Sequence, residues 1–342
     1  MRLPLPWLLA LTGGALALLL VGSLATGPMS LSFGESLRAL FAGQESGMEA
    51  HKLLVVKEIR LPRTLLCIAV GGILGLCGAV MQGLFRNPLA DPGIIGVSGG
   101  AALGAALAIV LLAPLGQQLQ ALLGLGLLPL LAFLGGALTT TPVYLLGTRE
   151  GGTSVTVMLL AGVAITALSG AVIGLLTYLA DDQMLRNLSL WQMGSLAAGK
   201  PVDVALALLT LATLLLLFAR DANPLNALLL GEGEARHLGV NVQALKRRLI
   251  LLTAAGVGVA VAVAGMIGFV GLVVPHLARL LAGPNHVRLL PLSALLGAAL
   301  LLGADMLART LLAPAEMPVG IITALMGAPF FIWLLVKSRR PL

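Results

Sequence analysis

Charged residues are scarce in this 342-residue chain, since Asp, Glu, Lys and Arg together make up only 10% of it. A soluble domain normally carries about 25% charged residues because its surface faces water. Hydrophobic residues reach 58%, and the mean hydropathy is +1.04. They stand in runs of about 20, the length that a helix needs to cross the hydrocarbon core of a bilayer. The composition excludes an ordinary soluble domain and predicts an all-α, polytopic integral membrane protein, with residues 1–342 forming one transmembrane domain.

Residues that bind metals or act as nucleophiles are also rare, with 2 cysteines and 4 histidines in the whole chain. Cys67 and Cys77 lie in one apolar run without the Cys-x-x-Cys spacing of metal or redox sites, so we expect buried core residues. The histidines are scattered and form no His-Glu-x-x-His motif. We therefore expect no metal site, no bound cofactor and no enzymatic reaction in this chain.

One motif is similar to a nucleotide-binding loop. Residues Gly194 to Lys200 match the first seven positions of a P-loop, whose eighth residue is a Ser or Thr that binds Mg²⁺. Pro201 stands at that position. No strand is predicted before the motif, and Trp191 and Met193 favour an amphipathic segment at the membrane surface. We do not expect this chain to bind ATP.

Ten membrane crossings account for the apolar runs, with nine as the main competing count. Residues 249–282 contain one charged residue, Arg279. A single helix of that length would span roughly 51 Å, more than the about 30 Å of hydrocarbon. Glycines from Gly265 to Gly271, followed by Pro275, predict a break within it. The predicted spans cover about 5–25, 64–85, 93–113, 119–146, 153–179, 202–219, 249–264, 267–283, 289–311 and 318–336.

Lys and Arg in short loops set the orientation of a membrane protein, because they are retained in the cytoplasm. An even number of spans puts both termini on one side, and a cytoplasmic placement puts most of the 21 Lys and Arg inside. This topology explains the net charge of +7 without a nucleic-acid partner. The first apolar run is longer than the about 7–15 residues of a signal-peptide core, so we interpret it as an uncleaved helix. The basic residues assigned to the cytoplasm include Arg2, Arg86, Arg149, Arg288, the run Lys246–Arg248 and residues 337–340.

Glycines at four-residue spacing predict close helix packing. Gly96, Gly100 and Gly104 would share one helix face, as would Gly71 and Gly75, and small residues at this spacing let backbones approach closely in lipid. No charged residue stands at the centre of a predicted span. An ion-coupled secondary transporter of a small organic solute, the alternative function, normally needs one.

The longest polar interruption assigned to the inside, residues 220–248, is predicted to be a cytoplasmic loop. Within it, Glu232 and Glu234 precede Arg236 and His237, the charge order that complements a helix dipole. Glycines bracket this short segment, and Gly239 suits a helix stop. We predict a short helix that either docks on a cytosolic partner or lies on the lipid surface.

Polar motifs punctuate the apolar runs from residue 60 to residue 331. They are Arg60-Leu-Pro-Arg63-Thr, Gly78-Ala-Val-Met-Gln-Gly83, Asn87-Pro-Leu-Ala-Asp-Pro-Gly93 with Gly96-Val-Ser, Gly268-Phe-Val-Gly-Leu-Val-Val-Pro-His276, Ala304-Asp305 with Arg309, Pro318-Val-Gly320 and Gly327-Ala-Pro-Phe-Phe331. In this order and spacing the chain resembles the iron-chelate and cobalamin permeases of the FecCD type. These are membrane subunits of binding-protein-dependent ABC importers.

The resemblance implies a multi-pass subunit of the inner membrane that works as a homodimer. It implies two cytosolic ATPase subunits that bind ATP and Mg²⁺, and a periplasmic or lipid-anchored substrate-binding protein. The cargo would be haem, then a ferric siderophore, then cobalamin, because the stretch from Arg86 to Ser98 looks most like haem permeases. The segment matching the family's ATPase-coupling helix has as its expected contacts Gly231, Glu232, Glu234, Ala235, Leu238 and Gly239.

The resemblance also implies two further sites. Arg60, Arg63 and Arg309 match external basic residues that pair with acids of the binding protein, although Arg309 stands four residues after Asp305 and Arg60 lies close to Glu58, so local pairing is the alternative for both. A possible inner gate at the start of the fifth span has simple helix capping as its alternative. The residues of this possible gate are Thr153, Ser154 and Thr156. The Asn87–Pro92 motif we interpret as a rigid turn.

Overall fold

The computed structural model describes residues 4–29, 31–41, 49–112, 126–149, 152–197 and 199–338. Within these ranges nearly all residues are helical, and the only strands pair Thr148–Arg149 with Gly152–Thr153. A π-helical turn, Val55–Arg60, joins the helices Ala50–Leu54 and Leu61–Leu84, and a 3₁₀ turn, Pro92–Ile95, precedes the helix Val97–Val110. The predicted all-α class is confirmed. The helices are α1 Leu5–Ala25, α2 Phe33–Phe41, α3 Ala50–Leu54, α4 Leu61–Leu84, α5 Val97–Val110, α6 Leu127–Gly147, α7 Val155–Leu179, α8 Asp182–Gln192, α9 Pro201–Leu230, α10 Glu232–His237, α11 Val242–Ala264, α12 Val270–Ala282, α13 His286–Thr310 and α14 Val319–Ser338.

Each of the ten predicted spans corresponds to an apolar helix. Among the described residues, seven helical stretches are long and apolar enough to cross a bilayer, and α5, α12 and α14 are shorter apolar helices. The predicted break between the seventh and eighth spans is present: α11 ends at Ala264, Gly265 has φ +70°, and α12 starts at Val270. This correspondence between spans and helices confirms the predicted polytopic architecture. Arg2 and Arg340 lie outside the described residues.

The predicted cytoplasmic loop 220–248 is mostly helical, which corrects the sequence prediction. Helix α9 continues to Leu230 and α11 begins at Val242. The 30 residues of α9 give a helix of about 45 Å, longer than the about 30 Å hydrocarbon core. Polar residues end the apolar run without ending the helix, because Asp221 is buried and binds Arg248 of α11.

Helix α4 lies at the centre of the bundle and is buried along nearly its whole length. It packs antiparallel to α13 through glycines. A Cβ atom on Gly71 would overlap the main-chain carbonyl of Gly297, and one on Gly75 would overlap that of Ser293. The predicted close approach of the Gly71–Gly75 face is confirmed.

The other glycine series is confirmed for two of its three members. Gly100 and Gly104 pack against the backbone of α6, where added Cβ atoms would overlap the carbonyls of Gly135 and Leu131. Gly96, in contrast, precedes α5 and adopts a left-handed conformation with φ +87°. It therefore serves the turn before the helix rather than the helix face, because glycine takes this conformation without strain.

The length of α4 separates two ends of the molecule. Arg63 in its first turn contacts Asp305 near the end of α13, whereas Gly83 in its last turn packs on His286 at the start of α13. These twenty residues of helix correspond to about 30 Å, the thickness of the hydrocarbon core. We call the end of the molecule near Arg63 the Asp305 end. The opposite end is called the Glu232 end, because Gly231, next to Glu232, lies beside Arg86 just beyond α4.

Substitution at the glycine contact should destabilise the protein. We expect Gly297→Ala to cost about 1–3 kcal/mol, because its methyl group overlaps the Gly71 backbone and helices α4 and α13 must move apart. Gly303→Ala is the matched control: it lies in the same helix with nothing within 4 Å of an added Cβ, and its effect should be a gain of up to about 1 kcal/mol from helix propensity. Thermal unfolding in detergent measures both, and equal melting temperatures would contradict the packing described.

Candidate functional site

A buried carboxylate organises the Asp305 end. Asp305 is fully buried and lies between two guanidinium groups. Arg63 Nη2 lies 2.9 Å from Asp305 Oδ1, and Arg309 Nε lies 3.0 Å from Oδ2. Arg63 also binds Glu316 at 2.7 Å, and the Glu316 side chain is 38% exposed. Charged groups tolerate burial when they are paired and hydrogen-bonded in this way.

The remaining arginine donors satisfy the carboxyl end of α1. The last carbonyls of a helix have no partner within the helix. Arg60 Nη1 donates to the carbonyls of Leu24 at 2.7 Å and Ala25 at 2.9 Å. Arg309 donates to Ser23 Oγ at 2.7 Å and to the Thr26 carbonyl at 3.2 Å. These bonds tie α1 to α4 and α13.

The structure therefore places the three arginines predicted for docking inside the chain. Arg60, Arg63 and Arg309 are 4%, 6% and 2% exposed. The local alternative for Arg309, a pair with Asp305, is present. The alternative partner for Arg60 was wrong, because backbone carbonyls of α1 accept its hydrogen bonds instead of Glu58. Docking itself stays a prediction.

A capped short helix marks the Glu232 end, as the sequence predicted. Helix α10 follows Gly231 (φ +128°) and stops at Gly239 (φ +83°). The Gly239 N–H donates to the Arg236 carbonyl at 2.9 Å, and the Val240 N–H donates to the Ala235 carbonyl at 3.0 Å. These two bonds form a Schellman motif, in which glycine adopts the left-handed conformation.

The residues predicted to contact an ATPase divide into two faces of α10. Ala235 is fully buried against this chain, so it seats the helix and cannot be a partner contact in this arrangement. Glu232 turns back to Lys246 of α11 at 2.5 Å. Leu238 is 64% exposed, and Glu234 and Gly239 are exposed beside it. The exposed Leu238 gives this end of α10 an apolar side chain, which is compatible with both predicted alternatives, a cytosolic partner and the lipid surface.

The segment predicted as a possible gate contacts α11, the helix that also binds Glu232 of α10. Thr153 is buried, and its Oγ1 lies 3.3 Å from Gln243 Oε1 of α11. Ser154 caps α7 by accepting a hydrogen bond from the Val157 N–H, so the capping alternative is present. Thr156 is exposed on the first turn of α7. The gating role stays a prediction.

The turn between α4 and α5 is rigid for the predicted reason. Asn87 Oδ1 accepts the Leu89 N–H at 2.9 Å, and Asp91 Oδ1 accepts the Gly93 N–H at 2.7 Å. Such Asx turns replace backbone hydrogen bonds in tight connections. Burial raises the pKa of Asp91, and the hydrogen bond from Gly93 opposes this shift.

Two chemical alternatives find no support in the geometry. Among the described residues, no group of three or more His, Cys, Asp or Glu side chains could hold a metal ion. Gly194 follows helix α8, and Pro201 opens α9, so the P-loop-like motif lacks the strand–loop–helix context that phosphate binding requires.

Removing the central carboxylate should destabilise the whole bundle. We expect Asp305→Asn to cost about 3–5 kcal/mol, because buried Arg309 loses its carboxylate partner and buried Arg63 loses one of its two. The matched control is Glu316→Gln, which removes a partly exposed partner of the same Arg63 and should cost at most about 1 kcal/mol. Thermal melts in detergent compare the two, and equal losses would contradict a dominant role for Asp305.

Comparison with known proteins agrees with this architecture. The FecCD transport family model matches residues 11–337. The hemin transport system permease HmuU of Yersinia pestis is 48% identical over 99% of this chain and 97% of its own length. The vitamin B12 import system permease BtuC of Salmonella paratyphi A is 43% identical over 89% of this chain and 92% of its own.

A solved structure shows the same fold. A metal-chelate type ABC transporter in an inward-facing conformation superposes with a TM-score of 0.83 at 35% identity, covering 97% of this chain and 99% of that one. The family match spans nearly the whole sequence and the fold match nearly the whole structure. This chain therefore belongs to the FecCD transport family.

Proposed function

We propose that this chain is the membrane permease subunit of an ATP-driven importer of the inner membrane. It would act as a homodimer with two cytosolic ATPase subunits and a periplasmic or lipid-anchored binding protein. The permeases and the metal-chelate transporter that it resembles support this assignment. ATP and Mg²⁺ would be bound by the ATPase chains, and this chain would hold no cofactor.

The observation that carries the proposal is the geometry of α10. A six-residue helix is too short to be stable alone, yet it is held by a buried Ala235 and a glycine cap, with Leu238 exposed at its end. It lies at the end of the molecule opposite Asp305, where most basic residues predict the cytoplasm. An ATPase seated there could move α10 as its nucleotide state changes.

The proposed cargo is a rigid chelate, with haem first, a ferric siderophore second and cobalamin third. The 48% identity with a hemin permease, against 43% with a vitamin B12 permease, supports placing haem before cobalamin. No charged residue stands at the centre of a predicted span, which suits a large amphiphilic cargo better than a small ion. The Asp305 end would receive the binding protein, with Arg60, Arg63 and Arg309 supporting that surface. The segment Thr153–Thr156 would form part of the inner gate.

A single exposed leucine tests the ATPase contact. We expect Leu238→Glu to reduce ATPase co-purification at least about 10-fold, since a buried charge replaces an apolar contact at the interface. The melting temperature of the permease alone should not change, because Leu238 is exposed and surface substitutions stay within about 0.5 kcal/mol. Leu238→Met is the control and should retain the complex. An intact complex with Leu238→Glu would overturn this contact.

Uptake into proteoliposomes tests the cargo and the energy source. The complex is reconstituted with ATP inside and with binding protein outside, loaded in turn with haem, a ferric siderophore or cobalamin. We expect ATP-dependent uptake with haem. Uptake of cobalamin alone would overturn the cargo order, and uptake driven by an ion gradient without ATP would favour the secondary-transporter alternative.

A further inference from the structure

Lys246 connects two segments that the proposed mechanism requires to move together. It lies in the second turn of α11 and is only 3% exposed. Its Nζ donates to Glu232 Oε1, on the first residue of α10, at 2.5 Å. The same Nζ donates to the main-chain carbonyl of Thr153 at 3.2 Å. One ammonium group therefore binds both α10 and the segment that leads into α7.

A second contact from the same helix fixes the same segment. Gln243 precedes Lys246 by three residues, so the two side chains share one face of α11. Gln243 Oε1 lies 3.3 Å from Thr153 Oγ1. Helix α11 therefore holds Thr153 at two atoms: Gln243 contacts its hydroxyl group, and Lys246 binds its main-chain carbonyl. Of these two residues, Lys246 is the one that also binds Glu232 of α10.

The other cation near Glu232 does not make this connection. Arg236 lies 3.8 Å from Glu232 Oε2 and is 57% exposed at its side chain, so water competes for that pair. The Lys246 side chain is 4% exposed. An ammonium group offers three donors on a flexible stem, which suits it to bridging a carboxylate and a carbonyl.

We propose that Lys246 is a positioning residue that transmits the movement of α10 to the segment around Thr153. The inference rests on the proposed function, in which α10 contacts an ATPase and Thr153–Thr156 gates the pathway. A buried ammonium group and a buried carbonyl cannot exchange their bonds for bonds to water without a large loss. When Glu232 moves, Lys246 must either follow it and pull on Thr153, or adopt a second set of partners.

The structure offers a charge-matched control for this proposal. Arg247 is the next residue of the same helix and is exposed. Lys246→Met and Arg247→Met each remove one positive charge from the same turn. Both variants therefore weaken equally the Lys and Arg bias that orients the protein in the membrane. Only the first variant removes the connection between Glu232 and Thr153.

The test measures ATP hydrolysis and cargo uptake in the same proteoliposomes, with the full complex and loaded binding protein. For Lys246→Met we expect hydrolysis within about 3-fold of wild type and uptake reduced at least about 10-fold, so that less cargo enters per ATP. Arg247→Met should leave both rates unchanged. Lys246→Arg should restore much of the uptake, because it keeps a cation that can reach both oxygens.

Glu232→Gln is the second variant, since it keeps the shape of the side chain and removes its charge. It should lower cargo per ATP as Lys246→Met does, and the double variant should be no worse than either single one, as for residues of one pair. If hydrolysis and uptake fall in parallel together with the melting temperature, Lys246 is only structural and the inference is wrong. If Lys246→Met does not fold, an unchanged ratio in Glu232→Gln overturns it.

Failure of the inference and failure of the proposed function give different results. Wild-type complex that shows no ATP-driven uptake contradicts the proposed function, whatever the variants do. Wild-type uptake with an unchanged ratio in both Lys246→Met and Glu232→Gln leaves the importer in place and removes Lys246 from its mechanism.

Discussion

The backbone contact between α4 and α13 is the constraint on which the rest of the structure depends. Helices in a bilayer gain little by burying apolar side chains, because the lipid is equally apolar, so close packing and polar contacts must hold them together. Gly71 and Gly75 meet Gly297 and Ser293 at distances that exclude any side chain. Helices α9, α11 and α12 pack on α4 in turn, so this pair fixes the positions of the helices that carry the site.

The two ends of that pair differ in how their charged groups are satisfied. At the Asp305 end, buried arginines bind a buried carboxylate and the last carbonyls of α1. At the Glu232 end, Glu232 is 39% exposed at its side chain and Leu238 is 64% exposed. At the first end, only Glu316 of these carboxylates is partly exposed, at 38%. The second presents a small, capped and partly apolar surface, which is where we propose that an ATPase binds.

Local features of this fold could be predicted from the sequence. The break at Gly265, the stop at Gly239 and the cap at Ser154 each depend on residues within a few positions of one another. The helix ends around the predicted loop could not be predicted. The Asp221–Arg248 pair lets polar residues continue a helix, and that pair forms only once α9 and α11 lie side by side.

The charged network was predictable only in part, for the same reason. Asp305 and Arg309 are four residues apart, so their pairing was a visible alternative. Arg63 is 242 residues from Asp305 in the sequence, and no local pattern joins them. Lys246 carried a misleading signal: in a run of three basic residues it indicated only orientation, whereas the fold buries it between α10 and the start of α7.

The partners of the three buried arginines also distinguish which of them could serve the predicted docking. Arg60 and Arg309 each bind main-chain carbonyls of α1, and if they left these carbonyls, buried acceptors would lose their hydrogen bonds. Arg63 differs, because one of its two carboxylate partners, Glu316, is partly exposed. A carboxylate of a docked protein could take the place of Glu316, which would turn to water while Asp305 keeps the guanidinium paired. Of the three, Arg63 is therefore the residue that could pair with a docking protein without breaking the fold.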